Sequence, residues 1–175
     1  MAPSIAIGVS ACLLGEPVRY DGRHKLDRII TEILGAHFRF VPVCPEAGCG
    51  LPVPREEMRL EGDPVAPRLI TCRTRIDLTG EMLDYCSVTL GELEKEELCG
   101  FIFKERSPSC GLNAVPLHGC AASGLLTSGL FAREVARCFP LMPLEEAERL
   151  IDPYIRDSFI EHVNCYRTTL DAQAR

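Results

Sequence analysis

Three short apolar runs, each broken off at or just before a cysteine-bearing loop, constrain this chain more than any other feature. Ser4 to Ala11 (SIAIGVSA), Phe38 to Val43 (FRFVPV) and Leu98 to Lys104 (LCGFIFK) read as buried strands, and Cys12, Cys44 and Cys110 fall in the loops that follow them. Between the first two runs, Leu26, Ile29, Ile30, Ile33 and Leu34 share one helical face, which predicts a helix over Leu26 to His37. Before the third, Met82, Leu83, Cys86, Leu90 and Leu93 predict a helix over Thr79 to Glu97, with Thr79 as its cap. Strands alternating with helices imply an α/β fold: a single open, largely parallel sheet flanked by helices. In such a sheet the strand ends share one edge, where ligand crevices form, so the three thiols converge there.

The segments between are less regular. CPEAGCGLPVPR, from Cys44 to Arg55, holds too much Gly and Pro for a regular element and reads as loop; Asp63 to Pro67 reads as a turn and Leu69 to Ile76 as a weak strand. A helix is expected over Ser128 to Cys138, a short strand over Phe139 to Met142, and helices from Pro143 to Leu170 broken around Pro153. The division that follows is an α/β domain over 1–143 and a helical C-terminal extension, or linker remnant, over 144–175.

Length and charge then limit the function. At 175 residues a chain buries a sizeable core without staples, so a metal here serves chemistry rather than folding. A net charge of −6 disfavours a free-standing nucleic-acid binder, because phosphate contacts require a local surplus of Lys and Arg. No apolar run is long enough to span a membrane, and the start lacks the basic region of a secretory signal, so a cytoplasmic protein is expected, with its ten cysteines as thiols or metal ligands. No CxxC pair occurs, and the four histidines lie far apart in sequence. Three thiolates with no neighbouring nitrogen ligand suit an iron–sulfur cluster that keeps one iron open to substrate. Cys49, five residues beyond Cys44, can replace or supplement it; a structural zinc site on Cys12, Cys44, Cys49 and Cys110, and a cluster that only carries or senses electrons, are the alternatives. The other six cysteines read as core or helix residues.

VSACLLGEPVRYDG, VCPEAGCGLPVPR and KERSPSCG resemble, in order and in loop placement, the three motifs of the thiouracil desulfidase family. They span Val9 to Gly111, and the similarity extends to about Pro143. The resemblance implies a [4Fe-4S] cluster held by Cys12, Cys44 and Cys110 with one open iron, and removal of sulfur from thiolated uracil (thiouracil, 4-thiouridine or a thiolated nucleotide) as sulfide, without redox turnover. By motif, Glu46 and Ser107 are the catalytic pair, Glu46 taking a proton from the attacking water, and Cys49 is not a ligand. Tyr20, Asp21, Lys104 and Ser109 are candidates for substrate contact or its support: Tyr20 by stacking on a pyrimidine, Lys104 or Arg19 by meeting a phosphate. PREEMRL and the terminal LFAREVARCFPLMPLEEAERLIDPYIRDSFIEHVNCYR resemble longer, two-domain relatives that act on 4-thiouridine in transfer RNA. A small thiolated pyrimidine is therefore the expected partner, and transfer RNA only with a further domain. The oligomeric state is not written in the sequence.

Overall fold

The computed structural model describes residues 5–120 and 124–173. Ser4, which opens the first predicted strand, and the last two residues of the predicted C-terminal extension lie outside them. In chain order the regular elements are β1 (Ala6–Ser10), β2 (Arg39–Val43), α1 (Pro45–Gly48), β3 (Met58–Gly62), β4 (Pro67–Thr71), α2 (Thr79–Lys95), β5 (Phe101–Phe103), β6 (Val115–His118), β7 (Leu126–Thr127), α3 (Leu130–Cys138), β8 (Leu144–Glu146) and α4 (Pro153–Gln173).

The predicted parallel sheet is present, with strand order β2-β1-β5-β8. Ser10 lies beside Val43, Val9 beside Ile102, and Phe103 beside Glu146, so all four strands end along one edge. Each face is covered, which explains why β1 and β5 read as unbroken apolar runs. Phe101 and Phe103 point to one side, into a core with Met82, Leu90 and Phe131 from α2 and α3. Ile7, Val9 and Ile102 point to the other, into a core with Ile30, Leu34, Leu150 and Phe159. The two phenyl rings of β5 stack at 4.3 Å between centroids, and Phe131 meets Phe101 edge-on at 5.7 Å.

Gly8 makes this stacking possible. A Cβ at that position would sit 2.2 Å from the Phe101 ring, across the β1–β5 pairing. Phe101 is fully buried and has nowhere to move, so Gly8→Ala is expected to destabilise the fold by about 2 kcal/mol, the usual range for overpacking. A lowered urea midpoint at unchanged slope is the signature; an unchanged midpoint would mean that the core can yield.

The expectation of a single sheet is corrected by a second, four-stranded sheet of order β4-β3-β6-β7, in which β3 pairs antiparallel with β4 and parallel with β6. Its β4 overlaps the weak strand expected over Leu69 to Ile76, but β3 and β6 hide in the sequence for physical reasons. The first four residues of MRLEG are good helix formers, and the segment becomes a strand only because Met58 and Leu60 are buried by their neighbours. VPLH carries a proline, Pro116, that is exposed while Val115 and Leu117 point inward.

Other boundaries shift. The helix predicted over Leu26 to His37 is a short π turn (Ile29–Ile33) followed by a 3-10 turn (Leu34–Ala36), because Asp27 accepts the Ile29 and Ile30 N–H groups and starts it late. The loop predicted from Cys44 contains one helical turn, α1, which Pro45 favours at its first position. At α2 the cap position is Leu78, and Asp77 just before it accepts the Thr79 N–H on Oδ1 at 3.0 Å; Thr79 is already helical. The strand expected over Phe139 to Met142 is a turn holding Pro140 and the exposed Leu141, and the sheet is continued instead by β8. Leu144 onward therefore joins the sheet and its covering layer. A 3-10 turn (Ala147–Ile151) leads into α4, which lays Phe159 and Val163 against Gly100 and pairs Arg167 with Glu97 at 3.1 Å, beside the end at which β5 begins. Among the described residues no helix is long and apolar enough to cross a membrane.

Candidate active site

At the edge where β1, β2 and β5 end, the chain turns sharply three times. After β1 a 3-10 turn (Ala11–Leu14) carries Cys12 and closes on Gly15, whose φ of 94° is the left-handed conformation that glycine adopts without strain. After β2, Cys44 immediately precedes α1, which places Glu46 in its first turn. After β5 comes the loop to Ser107, Ser109 and Cys110. It is closed by Gly111, where a Cβ would sit 2.9 Å from the Ser107 carbonyl oxygen and 2.4 Å from Val115. The three turns enclose a pocket of about 250 Å³, lined by Cys12, Cys44 and Cys110 and by Glu46, Arg55 and Ser107.

The electrostatics of the three thiols are those of groups waiting for positive charge. Burial pushes the Cys12 thiol up to about 11; Cys44 adds to this, and Lys104 and Arg19 only partly oppose it. Burial likewise raises Cys44, with Glu46 adding to the rise and Arg55 opposing it. Cys110 is raised most, by burial above all, with Cys12, Cys44 and Glu46 adding and a hydrogen bond from Ser10 opposing. Three mutually interacting thiols in one buried pocket are a donor set that fits an iron–sulfur cluster, whose iron takes over from the proton on each sulfur. No group of three His, Cys, Asp or Glu side chains among the described residues is arranged to hold a single metal ion. Cys49 is turned away: its Sγ lies 3.2 Å from the Glu46 carbonyl oxygen, its side chain packs on the first core, and it does not line the pocket.

Glu46 is held from two sides. Its carboxylate Oε2 accepts from Arg55 Nε at 2.8 Å and is ion-paired with Nη2 at 2.7 Å, and its Oε1 accepts from the Ser109 hydroxyl at 2.6 Å. Ser109 lies 3.0 Å from Ser107, whose oxygen also accepts the Ser109 and Cys110 N–H groups. Since Ser109 has one proton and gives it to Glu46, Ser107 must be the donor in the serine pair. The resulting chain runs Ser107 to Ser109 to Glu46.

The remaining sequence candidates are distributed around this centre. Tyr20 lines the pocket, 39% exposed, with the Arg19 guanidinium 5.6 Å from its ring centroid. Lys104 lines the pocket too; its ammonium is paired with Glu105, and its N–H donates to Ser10 Oγ at 3.0 Å. Asp21 is not part of the lining: its carboxylate accepts the Arg23 N–H at 3.1 Å and faces Arg19 at 3.4 Å, which stabilises the turn behind Tyr20. Ser109 lines the pocket wall and is buried, with its hydroxyl committed to Glu46. The residue missed from the sequence is Arg55, an arginine inside a Gly- and Pro-rich loop where nothing nearby in sequence gives it a partner.

The family model of 2-thiouracil desulfurase matches residues 7–147. No curated protein matches the chain. Among solved structures, the fold is similar to a [4Fe-4S]-dependent thiouracil desulfidase, TudS, at a TM-score of 0.69 and 30% sequence identity over 88% of this chain and 98% of the other. The matched residues take in both sheets and every side chain of the thiol-lined pocket, and on that ground the chain belongs to the 2-thiouracil desulfurase family.

Proposed function

We propose that this protein exchanges the sulfur of a thiolated uracil for the oxygen of water, with no net oxidation or reduction: C=S and H₂O become C=O and H₂S. The observation that supports this reading is the meeting, in one pocket, of three thiols from three strand ends with a buried carboxylate held by Arg55 and Ser109. Cys12, Cys44 and Cys110 would hold a [4Fe-4S] cluster and leave one iron open, which would supply a soft Lewis acid for the thiocarbonyl sulfur. Glu46 then takes a proton from the attacking water, with its free acceptor position on the pocket side. Ser107, fixed as a donor by its backbone contacts, steadies the chain through which that carboxylate is oriented. Tyr20 flanks the pyrimidine, Asp21 supports the turn that presents it, and Lys104 with Arg19 meets a phosphate when the substrate is a nucleotide.

The substrate class is a small thiolated pyrimidine: thiouracil, 4-thiouridine or a thiolated nucleotide. The test is sulfide release by the anaerobically reconstituted protein from each of these and from thiolated transfer RNA, over a salt titration. Release from the small substrates is expected to change little with moderate salt, and release from whole transfer RNA to be slow unless a basic domain is supplied. The net charge of −6 supports this expectation. A steep fall with salt would mark phosphate contacts, since each one releases a counterion. Efficient, salt-sensitive release from transfer RNA would overturn the small-substrate assignment. A brown protein that frees no sulfide from any of them would make the cluster an electron carrier.

A further inference from the structure

We infer that Arg55 is a positioning residue for the reaction, and that it selects Oε1 of Glu46 as the oxygen that accepts the proton. The inference rests on the reading of Glu46 as the base. Arg55 lies between α1 and β3, and its side chain is 5% exposed. Each guanidinium nitrogen donates a hydrogen bond: Nε to Glu46 Oε2 at 2.8 Å, Nη2 to the Val18 carbonyl oxygen at 2.9 Å and Nη1 to the Pro52 carbonyl oxygen at 3.3 Å, while Nη2 also lies 2.7 Å from Glu46 Oε2 as its ion-pair contact. Its backbone N–H is also engaged, on the Tyr20 carbonyl oxygen at 2.8 Å. To meet a substrate, this side chain would have to abandon several buried bonds, so its effect passes through Glu46.

A carboxylate offers about four acceptor positions. Arg55 takes one of those on Oε2 through Nε and sets its charged Nη2 2.7 Å from the same oxygen, and Ser109 fills one on Oε1. With the guanidinium crowding Oε2, the free position on Oε1 is the one left for a water proton. Rotating the carboxylate would break contacts at both oxygens at once, so the two partners together lock one geometry. Lysine does not replace this arrangement: an ammonium is a compact point charge and lacks the fixed fork that reaches Glu46 and Val18 together.

The test is a double-mutant cycle on the reconstituted holoenzyme, with kcat and KM for thiouracil and iron per chain measured for Arg55→Gln, Arg55→Lys, Glu46→Gln and the combined variants. Misplacing a catalytic group by an ångström costs about 10²-fold, so Arg55→Gln is expected to lower kcat by about that factor, and Arg55→Lys by about tenfold, with KM and iron content held. In the Glu46→Gln background neither Arg55 change should lower the residual rate further. A raised KM with kcat kept would make Arg55 a substrate contact; iron loss in both Arg55 variants would make it a clamp for the cysteine loops; multiplicative losses in the double variant would make it independent of Glu46. Each of these overturns the inference. If Arg55→Gln fails to fold, the cycle with Arg55→Lys decides on the same terms. Near-normal turnover in Glu46→Gln would instead remove the base itself, whereas an inactive Glu46→Gln beside normal Arg55 variants would remove only the positioning role.

Discussion

Replacing Cys12, Cys44 or Cys110 singly by alanine should leave a protein that takes up little or no iron under anaerobic reconstitution and lacks the broad visible absorption of thiolate-bound clusters. Cys49→Ala should keep both. The expectation follows from where the sulfurs are: the first three line one pocket from three strand ends, and the fourth faces the Glu46 carbonyl oxygen from the core side. The same thiols set the pH dependence of loading. Each must lose its proton to become a ligand, and burial holds all three above the ordinary thiol value, so protons compete with iron. Uptake of iron and sulfide by the apoprotein should therefore quicken as pH rises from about 6.5 to about 8.5, as metal binding that displaces protons requires. Bleaching of Cys49→Ala together with a brown Cys44→Ala would identify the wrong thiol.

The second large effect is on turnover with the cluster retained. Glu46→Gln preserves the shape of the side chain but not its basicity, and loss of a general base lowers the rate by about 10²- to 10⁴-fold. Alanine is a poorer probe here, because it leaves the buried Arg55 guanidinium without its carboxylate and adds a folding penalty of about 3 to 5 kcal/mol to the kinetic loss. Ser107→Ala should also keep its iron and lose desulfuration. Its stability should fall by about 1 kcal/mol, the usual worth of a hydrogen bond, since its oxygen accepts two N–H groups of its own turn. Sulfide release at fixed iron content checks all three. Iron loss in Glu46→Gln would make that residue structural.

The parts of the architecture that were legible in advance are those whose local pattern agrees with their tertiary surroundings. β1 and β5 are apolar throughout because both of their faces are covered, and α2 shows its buried Met82, Cys86, Leu90 and Leu93 at helical spacing. Most of the second sheet was not legible, because β3 is rich in helix formers and becomes a strand only by pairing and β6 carries a proline; β8, at the edge of the first sheet, hid for the same reason as β3. The site divides in the same way. Cys12, Cys44 and Cys110 could be brought together from topology alone, as could Glu46 from its position beside Cys44. Arg55 could not, since its acceptors on Val18 and Glu46 lie 37 and 9 residues away and are brought to it only by the folded loops. Ser109, a candidate for substrate contact or its support, lines the pocket and gives its hydroxyl proton to the buried carboxylate, a contact made by the tight turn of its loop and not legible in the sequence.

The course of α4 has a practical consequence. Its successive contacts, Phe159 and Val163 on Gly100 and then Arg167 on Glu97, carry the helix towards the edge at which β5 begins, while the pocket opens at the edge at which β5 ends. The far end of the helix is thus a handle on the opposite side of the molecule from the mouth. A fluorescent fusion, an affinity matrix or an electrode surface joined through that end would leave small thiolated pyrimidines free to enter, so the protein can be immobilised in an anaerobic flow cell without blocking the chemistry it carries.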